Sequence, residues 1–338
     1  LSIFFFTPTR ANDIASCLVG SEMCIRDSIL SAETLLIDLG GTNLRAGVGN
    51  SKSLKISDIK KFPIKTNDDF YNILDSINSE TKCDEIIISA AGPCEQNTIS
   101  MTNRNLSISG ADVEKRLGAS ECYLLNDWES IGYSLPLMKD HDLKTVKHGN
   151  LDLQSTCLAI GPGTGLGFSV LRYVKNTPYV YATELGNTKS FNGYFSKLFE
   201  VDNHMEFLVL EDFLSGSGIK KIFKEKGGKN LSPEEIVGSY GENDLATFVI
   251  DKFVEGLGVL LSDLALTFNA KGGIFFAGSI MRTISEMTAI NMLKENFENH
   301  HSEAHNNILK NISINLINKE HTPLYGNLNY SVIRRLHE

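Results

Sequence analysis

The sequence predicts an α/β fold built from two related domains. Strand-like apolar runs alternate with helical patterns along the chain, which is typical of an α/β architecture. Two units of strand, glycine turn and strand recur about 120 residues apart, and that interval is the size of a domain. The length of 338 residues also exceeds what one ordinary core needs. We interpret the two units as a duplication, with a coincidence of two glycine-rich turns as the alternative.

Both units are predicted hairpins. In the first, residues 34–38 form an apolar strand, Gly40 to Asn43 form a turn, and residues 44–49 form a second strand. In the second, the glycine-rich run 161–167 leads into the strand-like run 168–174. The first lacks the helix of a dinucleotide site, and the second lacks both GxGxxG spacing and the Gly-Lys-Ser/Thr of a P-loop.

The remaining apolar segments extend the α/β pattern. Residues 85–91 form a buried strand, and residues 121–125 form another, which ends just before a helical pattern that starts near Asp127. Residues 245–268 carry apolar side chains at helical spacing and predict a long core helix. Residues 272–278 indicate a strand that runs into a turn.

The composition limits the classes of partner. The net charge of −9 argues against a nucleic-acid partner, because a phosphate backbone needs a basic face. No apolar run approaches the roughly 18 residues of a membrane span. The six cysteines show no CxxC spacing, so they predict neither a zinc site nor a disulfide framework and fit a reducing cytoplasm. Cys122 and Cys157 lie in strand-like runs and are expected to be small buried thiols.

The chain divides into an unusual start and two domains. Residues 1–30 are interpreted as a non-native or disordered extension, because the segment Cys17 to Ser28 resembles peptides seen at the ends of conceptual translations. A natural N-terminal arm is the alternative. We expect a small α/β domain over residues 31–125 and a large one over residues 126–326. A final helix over residues 327–338 is expected to pack back on the small domain.

The first glycine turn has the chemistry of a phosphate site. Its two glycines let backbone amides approach a phosphate closely, and Thr42 and Asn43 add hydrogen-bond donors. Arg45 can oppose phosphate charge or orient Asp38. Because phosphate would repel a carboxylate, the expected role of Asp38 is to hold Mg²⁺ through water. The alternative is a plain hairpin turn.

Two further motifs suit a ligand cleft. A Gly-Thr-Gly turn between strands, at Gly163 to Gly165, is a good cradle for an anion, and two such hairpins could grip a nucleotide from both sides. Asn126 and Asp127 stand at the carboxyl end of a buried strand, where α/β folds bind their ligands. A strand-end Asp is also commonly a helix N-cap, and local sequence does not separate the two roles.

Together, in this order, the motifs resemble the bacterial glucokinase family within the actin-like, hexokinase-type ATPase superfamily. The resemblance covers roughly residues 34 to 336. The matching stretches are Leu36–Arg45, Ala91–Pro93, Met101–Asn103, Leu125–Glu129, Gly161–Gly167, Glu211 with Leu214–Gly218, and Phe276–Ile280.

This resemblance implies two ribonuclease-H-like domains with a ligand cleft between them. It further implies ATP-dependent phosphorylation of glucose to glucose 6-phosphate, Mg²⁺ as cofactor, a place in glycolysis in the cytoplasm, and a homodimer. The implied ATP contacts are Asp38, Gly40, Gly41, Thr42, Asn43, Arg45, Gly163, Thr164, Gly165, Gly278 and Ser279. The implied sugar contacts are Asn103, Asn126, Asp127, Glu184, Asn187 and Glu211. Asp127 falls on the catalytic base that receives the proton of the sugar 6-hydroxyl.

The chain departs from the family pattern at two positions. The family has Glu-Gly-Gly-His where this chain has Glu184-Leu-Gly-Asn187, and Asn donates and accepts hydrogen bonds but is shorter than His. One unsatisfied buried partner costs about 1–3 kcal/mol, enough to weaken glucose binding or to shift the preferred sugar. Ser279 replaces a family Gly and should matter little if its φ is negative. Mannose, fructose or an amino sugar as substrate, and an actin-like ATP-binding sensor without catalysis, are the alternatives.

Overall fold

The computed structural model describes residues 33–101, 104–202 and 206–336. The extension predicted at residues 1–30 lies outside the described residues. The strands are β1 (Glu33–Leu39), β2 (Asn43–Asn50), β3 (Lys55–Pro63), β4 (Glu85–Ala90), β5 (Cys94–Glu95), β6 (Thr98–Ser100), β7 (Ser107–Ser109), β8 (Glu121–Asn126), β9 (Leu143–Lys147), β10 (Cys157–Pro162), β11 (Leu166–Val174), β12 (Thr177–Thr183), β13 (Gly273–Phe276) and β14 (Ile314–Ile317). The α-helices are α1 (Asn67–Glu80), α2 (Gly110–Leu117), α3 (Asp127–Ser134), α4 (Asn192–Leu198), α5 (Gly216–Glu225), α6 (Pro233–Gly238), α7 (Asp244–Phe268), α8 (Ser279–Ile284), α9 (Ile290–Glu298), α10 (Glu303–Asn311) and α11 (Thr322–Arg335).

The two large sheets repeat one strand order. The first runs β3-β2-β1-β4-β8, with β3, β2 and β1 antiparallel and β1, β4 and β8 parallel. The second runs β12-β11-β10-β13-β14, again with three antiparallel strands followed by parallel ones, and adds β9 at its edge. A small sheet of β5, β6 and β7 stands apart. The repeated order confirms the predicted α/β fold of two related units, each opened by a glycine-turn hairpin.

The core has three parts, and the middle part is shared by both sheets. Successive residues of β1 face opposite sides, because side chains alternate along a strand. Leu35 and Ile37 therefore face the core beneath α1 and α2, while Leu36 faces the middle core. Cys157 of the second sheet also lies in the middle core. It is fully buried and Cys122 nearly so, which confirms both as buried thiols.

The predicted long helix is α7, and it fills the core of the second sheet. It begins after Asn243, whose side chain accepts a hydrogen bond from the amide of Ala246 at 3.0 Å. It ends where Asn269 adopts a left-handed φ of 51°. The observed bounds, Asp244–Phe268, confirm the helix predicted from apolar spacing. No helix in the described part of the chain is both long and apolar enough to cross a membrane.

Helix α11 packs back on the first sheet. It begins at Thr322, five residues before the predicted start, and its last turn carries Arg334 and Arg335. Both guanidinium groups pair with the buried carboxylate of Glu85 in β4, and Arg334 does so at 2.9 Å. Thr34 of β1 donates to the same carboxylate at 2.7 Å. Because a buried charge is tolerated only when it is paired, this cluster ties α11 firmly to the first sheet.

Helices α3 and α11 cross with their backbones in direct contact. A Cβ atom placed on Gly326 of α11 would lie 1.7 Å from the carbonyl oxygen of Ser130 in α3 and 2.6 Å from its carbonyl carbon. These neighbours are backbone atoms, so they cannot move aside as a flexible side chain can. Only glycine permits this spacing between the two helices.

The start of α3 is a capping box. The Asn126 side chain accepts from the amides of Trp128 (2.9 Å) and Glu129 (3.4 Å), and the Glu129 carboxylate accepts from the Asn126 amide at 3.3 Å. This reciprocal pair satisfies amides that the first helical turn leaves free. Burial nevertheless raises the pKa of Glu129 to about 7, although the hydrogen bond from the Asn126 amide acts to lower it.

We predict that Gly326→Ala destabilises the fold. The added methyl group must force α3 and α11 apart, which should lower the free energy of unfolding by about 1–3 kcal/mol or more. Gly193→Ala is the matched control, because Gly193 is also helical and an added Cβ there meets nothing within 4 Å. That control should be neutral or stabilising by up to about 1 kcal/mol. Denaturant unfolding measures both, and equal midpoints would contradict the close crossing.

We also predict that Glu129→Gln becomes more stable than the unchanged chain as the pH rises. The folded-state pKa of Glu129 is raised to about 7 from 4.5, so the native state is penalised as this carboxyl ionises between those pH values. Gln keeps the capping acceptor without the charge. The stability difference should therefore be near zero below pH 4.5 and reach about 1–3 kcal/mol at pH 8.

An exposed capping box supplies the control for that measurement. Glu235 holds the same position in α6, where hydrogen bonds from Ser232 lower the pKa of its carboxyl. The Glu235 carboxylate stabilises the fold at pH values above its ordinary pKa. Relative to the protein without the substitution, Glu235→Gln should therefore become less stable as the pH rises. Denaturation at several pH values tests both signs, and two variants with the same trend would rule out burial as the cause.

Candidate active site

Three carboxylates from both halves of the fold lie near one another. Asp38 lies near the end of β1, Asp127 directly follows β8, and Glu184 directly follows β12 of the second sheet. Burial, together with the nearby charges of Asp38 and then Glu184, raises the pKa of Asp127 to about 6, and the hydrogen bond from the Trp128 amide opposes that rise. Strand ends of the two sheets thus meet at one cleft that carries concentrated negative charge.

Asp38 is buried and held by Arg45. The two residues face each other across the β1–β2 ladder, and Arg45 Nη1 donates to Asp38 Oδ2 at 2.9 Å. Burial raises the pKa of Asp38, while the charge and hydrogen bond of Arg45, with smaller effects of His321 and Ser89, oppose that rise. Of the two roles considered for Arg45, the structure shows the one that orients Asp38.

The helix cap at this site is Asn126. With its oxygen occupied by two backbone amides, its amide nitrogen donates to the carbonyl of Gly92 at 2.9 Å. Asp127 stands at the first helical position, half-buried, and accepts from the amide of Trp128 at 3.1 Å. The role of N-cap therefore belongs to Asn126, and Asp127 is left at the mouth of the cleft. As a sugar ligand, Asn126 has only its remaining amide hydrogen to offer.

Trp128 anchors this corner to the second glycine hairpin. Its indole covers two glycines: a Cβ on Gly167 would lie 1.5 Å from Nε1, and one on Gly161 would lie 2.3 Å from Cη2. These two glycines therefore make room for an aromatic ring rather than for a phosphate. The sequence carried one usable signal, since the single tryptophan of the chain stands next to Asp127.

The second glycine turn lies beside Glu211. Within the turn, the amide of Gly163 donates to the carbonyl of Gly165 at 2.8 Å, and the amide of Gly216 at the start of α5 donates to Gly163 at 2.7 Å. Gly163 and Thr164 are exposed. Glu211 Oε2 accepts from the amide of Leu166 at 3.1 Å, just after the turn. The turn thus has open backbone on one side and a carboxylate on the other.

Three of the residues predicted to bind sugar lie close to one another. Asn187 Nδ2 donates to Glu184 Oε2 at 3.2 Å, and both side chains are exposed. Gly186 between them lies against the carboxylate of Glu211. Glu184, Asn187 and Glu211 therefore form one polar wall. Asn103 lies outside the described residues.

The first glycine turn is braced by an arginine that the sequence reading missed. The amide of Gly40 donates to the carbonyl of Asn43 at 2.9 Å, and Asn43 Nδ2 donates to Thr42 Oγ1 at 2.8 Å. Arg104 donates to the carbonyl of Gly41 from Nε at 3.0 Å and from Nη2 at 2.5 Å. Gly41 and Thr42 are exposed, although the carbonyl of Gly41 is bound by Arg104 and that of Thr42 accepts from the amide of Ile64 at 2.9 Å. No local pattern links Arg104 to a turn about 60 residues away.

The third turn lies at the start of α8. Gly278 has a φ of 111°, a conformation that favours glycine, and is the residue before the helix. Ser279 is the exposed first residue of α8, and it is not among the residues with positive φ. Ser279 therefore does not need the left-handed backbone that would require the family Gly.

The donor set suits a hard cation that also binds a phosphate. Across the described ranges, no group of three or more His, Cys, Asp or Glu side chains could hold a metal ion by itself. Asp38 nonetheless offers carboxylate oxygens at the cleft, and Mg²⁺ is commonly held by one or two carboxylates together with substrate phosphates. Asp38 fits Mg²⁺ only in that shared mode.

Comparison with known proteins identifies the family. A glucokinase family model matches residues 35–332. A glucokinase from Saccharophagus degradans is 26% identical over 311 residues, which cover 86% of this chain and 96% of that protein. The solved glucokinase from Balamuthia mandrillaris in complex with glucose is similar with a TM-score of 0.74 at 15% identity, over 95% of this chain and 99% of that chain. A ROK family glucokinase from Streptomyces griseus, in complex with glucose and AMPPNP, gives a TM-score of 0.62 at 16% identity, over 88% and 98%.

These matches agree with the geometry described above. The solved structures are similar in fold, which confirms the actin-like arrangement of two ribonuclease-H-like domains with a cleft. The family match extends over most of the chain and includes both glycine hairpins and α11. The chain therefore belongs to the glucokinase family and is a hexose kinase, a phosphotransferase that has an alcohol group as acceptor.

Proposed function

We propose that the protein phosphorylates glucose to glucose 6-phosphate with ATP, and that Asp127 is the general base for the 6-hydroxyl. The observation that carries this proposal is the position of Asp127 near carboxylates of both sheets. Asp38 comes from the first sheet and Glu184 follows β12 of the second, and the charges of both act on Asp127. The solved relatives that hold glucose, or glucose with AMPPNP, support this choice of substrates.

Asp127 is suited to a late proton transfer. A carboxylate with a pKa of about 6 is a stronger base than an ordinary Asp, yet it remains ionised at neutral pH. An alcohol with a pKa above about 15 loses its proton only once bonding to phosphorus has begun. The oxygen at carbon 6 forms the new bond to the γ-phosphorus, the bond to ADP breaks, and the proton passes to Asp127 Oδ.

The phosphates are proposed to bind the two glycine turns. In this proposal the backbone of residues 40–43 and 163–165 holds them, together with the turn at Gly278 and Ser279. The amides of Gly40 and Gly163 already donate within their own turns, so the other amides of the two turns would make the contacts. Arg45 keeps Asp38 in position, and Asp38 would hold Mg²⁺ through water. When bound, Mg²⁺ supplies positive charge against the charge that develops on the phosphate oxygens.

Domain closure would exclude water from this reaction. We take residues 31–125 as the small lobe and residues 126–326 as the large lobe. The C-terminal residues 327–338 are taken to pack on the small lobe. Moving them together over the substrates would suppress hydrolysis of ATP. The proposal also has the protein act on a small sugar in the cytoplasm, as part of glycolysis. In this proposal it is a homodimer.

The choice of sugar depends on Asn187. Its bond to Glu184 shows that the shorter amide still reaches the wall where sugar hydroxyls are proposed to bind. Asn103, Asn126 and Glu211 complete the proposed sugar set. A kinase for mannose, fructose or an amino sugar is the second candidate, because this amide replaces the family His at an exposed position.

A coupled assay over a panel of hexoses tests the proposal. Glucose should be the fastest substrate with ATP and Mg²⁺. Turnover of another hexose with none of glucose would favour the second candidate. ATP binding without turnover of any sugar would instead favour a sensor. The presence of Asp127, Glu184 and Glu211 argues against a sensor, because a protein that binds nucleotide alone has no need of these three carboxylates.

We predict that Asp127→Asn abolishes most turnover while sugar binding persists. The amide keeps the shape of the carboxylate but accepts no proton, so kcat should fall by about 10²–10⁴-fold. Asp142→Asn is the control, since Asp142 is also buried but pairs with Lys319 at 3.1 Å, outside the cleft. Steady-state kinetics with glucose measure both. Near-normal turnover by Asp127→Asn would overturn its assignment as base.

We predict that Asn187→His raises the affinity for glucose. The longer ring restores a donor and acceptor at the distance found in the family, which should lower KM for glucose by about tenfold with little change in kcat. The same variant should improve less on the other hexoses of the panel. An unchanged KM for glucose would show that residue 187 makes no contact with the sugar.

A further inference from the structure

One buried amide connects the two sides of the cleft. Asn327 of α11 is fully buried, and its Nδ2 donates to the carbonyl of Ile37 in β1 at 2.8 Å and to Ser89 Oγ in β4 at 3.2 Å. On its other side, Ser130 Oγ of α3 donates to Asn327 Oδ1 at 2.7 Å. Ser89 and Ser130 are also fully buried. Three elements of the fold therefore meet on a single side chain.

The orientation of this amide follows from its neighbours. The carbonyl of Ile37 can only accept, so the NH₂ group of Asn327 must face it. Both amide hydrogens are then used, one on Ile37 and one on Ser89. Ser130 has one hydroxyl hydrogen and a second acceptor near it, the carbonyl of Pro323 at 2.6 Å. Ser89 Oγ also donates to the carbonyl of Ile37, at 3.3 Å, so each partner of Asn327 has a second partner of its own. Loss of Asn327 therefore removes the connection between these groups rather than the last hydrogen bond of any one of them.

The partners of Asn327 adjoin the two aspartates of the cleft. Ile37 precedes Asp38 in β1, and Ser89 lies opposite Asp38 in the β1–β4 register. Ser130 follows Asp127 by one turn of α3. The close crossing at Gly326, the neighbour of Asn327, keeps α11 in contact with α3. A chain of direct hydrogen bonds thus extends from the strand of Asp38 to the helix of Asp127.

We propose that Asn327 is a positioning residue that sets the spacing between Asp38 and Asp127. The inference rests on the proposed function, in which Asp38 serves the nucleotide and Asp127 serves the sugar. Phosphoryl transfer needs both substrates aligned, and a shift of about 1 Å can cost up to a hundredfold in rate. Asn327 touches neither substrate, so it acts through the strand and the helix that it joins.

The same helix offers a matched control. Asn329 is also buried in α11, and its Nδ2 donates to the carbonyl of Tyr133 in α3 at 2.7 Å. It therefore joins α11 to α3 as Asn327 does, but no hydrogen bond connects it to β1 or β4 within the described residues. Loss of either amide removes a buried hydrogen bond, yet only loss of Asn327 separates the two aspartates.

The test compares Asn327→Ala, Asn329→Ala and Ser130→Ala in steady-state kinetics and thermal unfolding. We expect both Asn variants to lower Tm similarly, while Asn327→Ala alone loses about 10- to 100-fold in kcat with each KM within about threefold. Asn329→Ala should keep kcat within about twofold. Ser130→Ala removes only one arm of the network, so it should show the same pattern more weakly even if Asn327→Ala fails to fold.

An unchanged kcat in Asn327→Ala would overturn the proposal, and so would equal losses of kcat in Asn327→Ala and Asn329→Ala. If Asn327→Ala does not fold, an unchanged kcat in Ser130→Ala would overturn it. If the protein without any substitution turns over no sugar, the proposed function fails instead. Positioning is then read from the emission of Trp128 on addition of Mg-ATP, which Asn329→Ala should retain and Asn327→Ala should lose. If the protein without any substitution shows no change in Trp128 emission on addition of Mg-ATP, both proposals are contradicted.

Discussion

The direct contact between α3 and α11 is the constraint on which the cleft depends. With no side chain between Gly326 and the Ser130 carbonyl, the two helices have one available spacing. That spacing sets where Asp127 enters the cleft at the start of α3. It also lets Leu324 and Leu328 of α11 fill the core shared by both sheets. Because packed interiors leave few voids, a shift at this crossing would be felt through the whole middle core.

Electrostatics work against this arrangement, and local partners offset the cost. The protein carries a net charge of −9 and still gathers Asp38, Asp127 and Glu184 at one place. Arg45 compensates Asp38 directly, and the backbone amide of Trp128 favours the ionised form of Asp127. Burial, and after it the repulsion from Asp38 and Glu184, keeps the pKa of Asp127 raised. A cleft with excess negative charge is prepared for a cation that arrives with a phosphate substrate.

Local sequence patterns predicted the elements but not the contacts between distant ones. Both hairpins, the strand before Asp127 and α7 followed from apolar runs and turns, since periodicity is a local property. The sequence left Asp127 as a ligand or as a helix cap, whereas the cap is Asn126, whose amide also donates to the carbonyl of Gly92 in another segment. Ser130 and Asn327 are 197 residues apart, so no sequence window holds both. The space that Gly161 and Gly167 leave for Trp128 could not be predicted either, because a glycine does not reveal which neighbour needs its space.

The pairing of α11 with β1 and β4 has a consequence for how the chain is made. Glu85 and Arg335 pair although they are 250 positions apart in the chain. Every strand of both sheets precedes α11 in the order of synthesis. During translation, the first sheet must leave the ribosome with one face uncovered and a buried carboxylate unpaired. A contact of such long separation also forms slowly, because loop closure comes before any gain from packing. The first sheet therefore cannot complete its packing until α11 has been made, although its strands are made first.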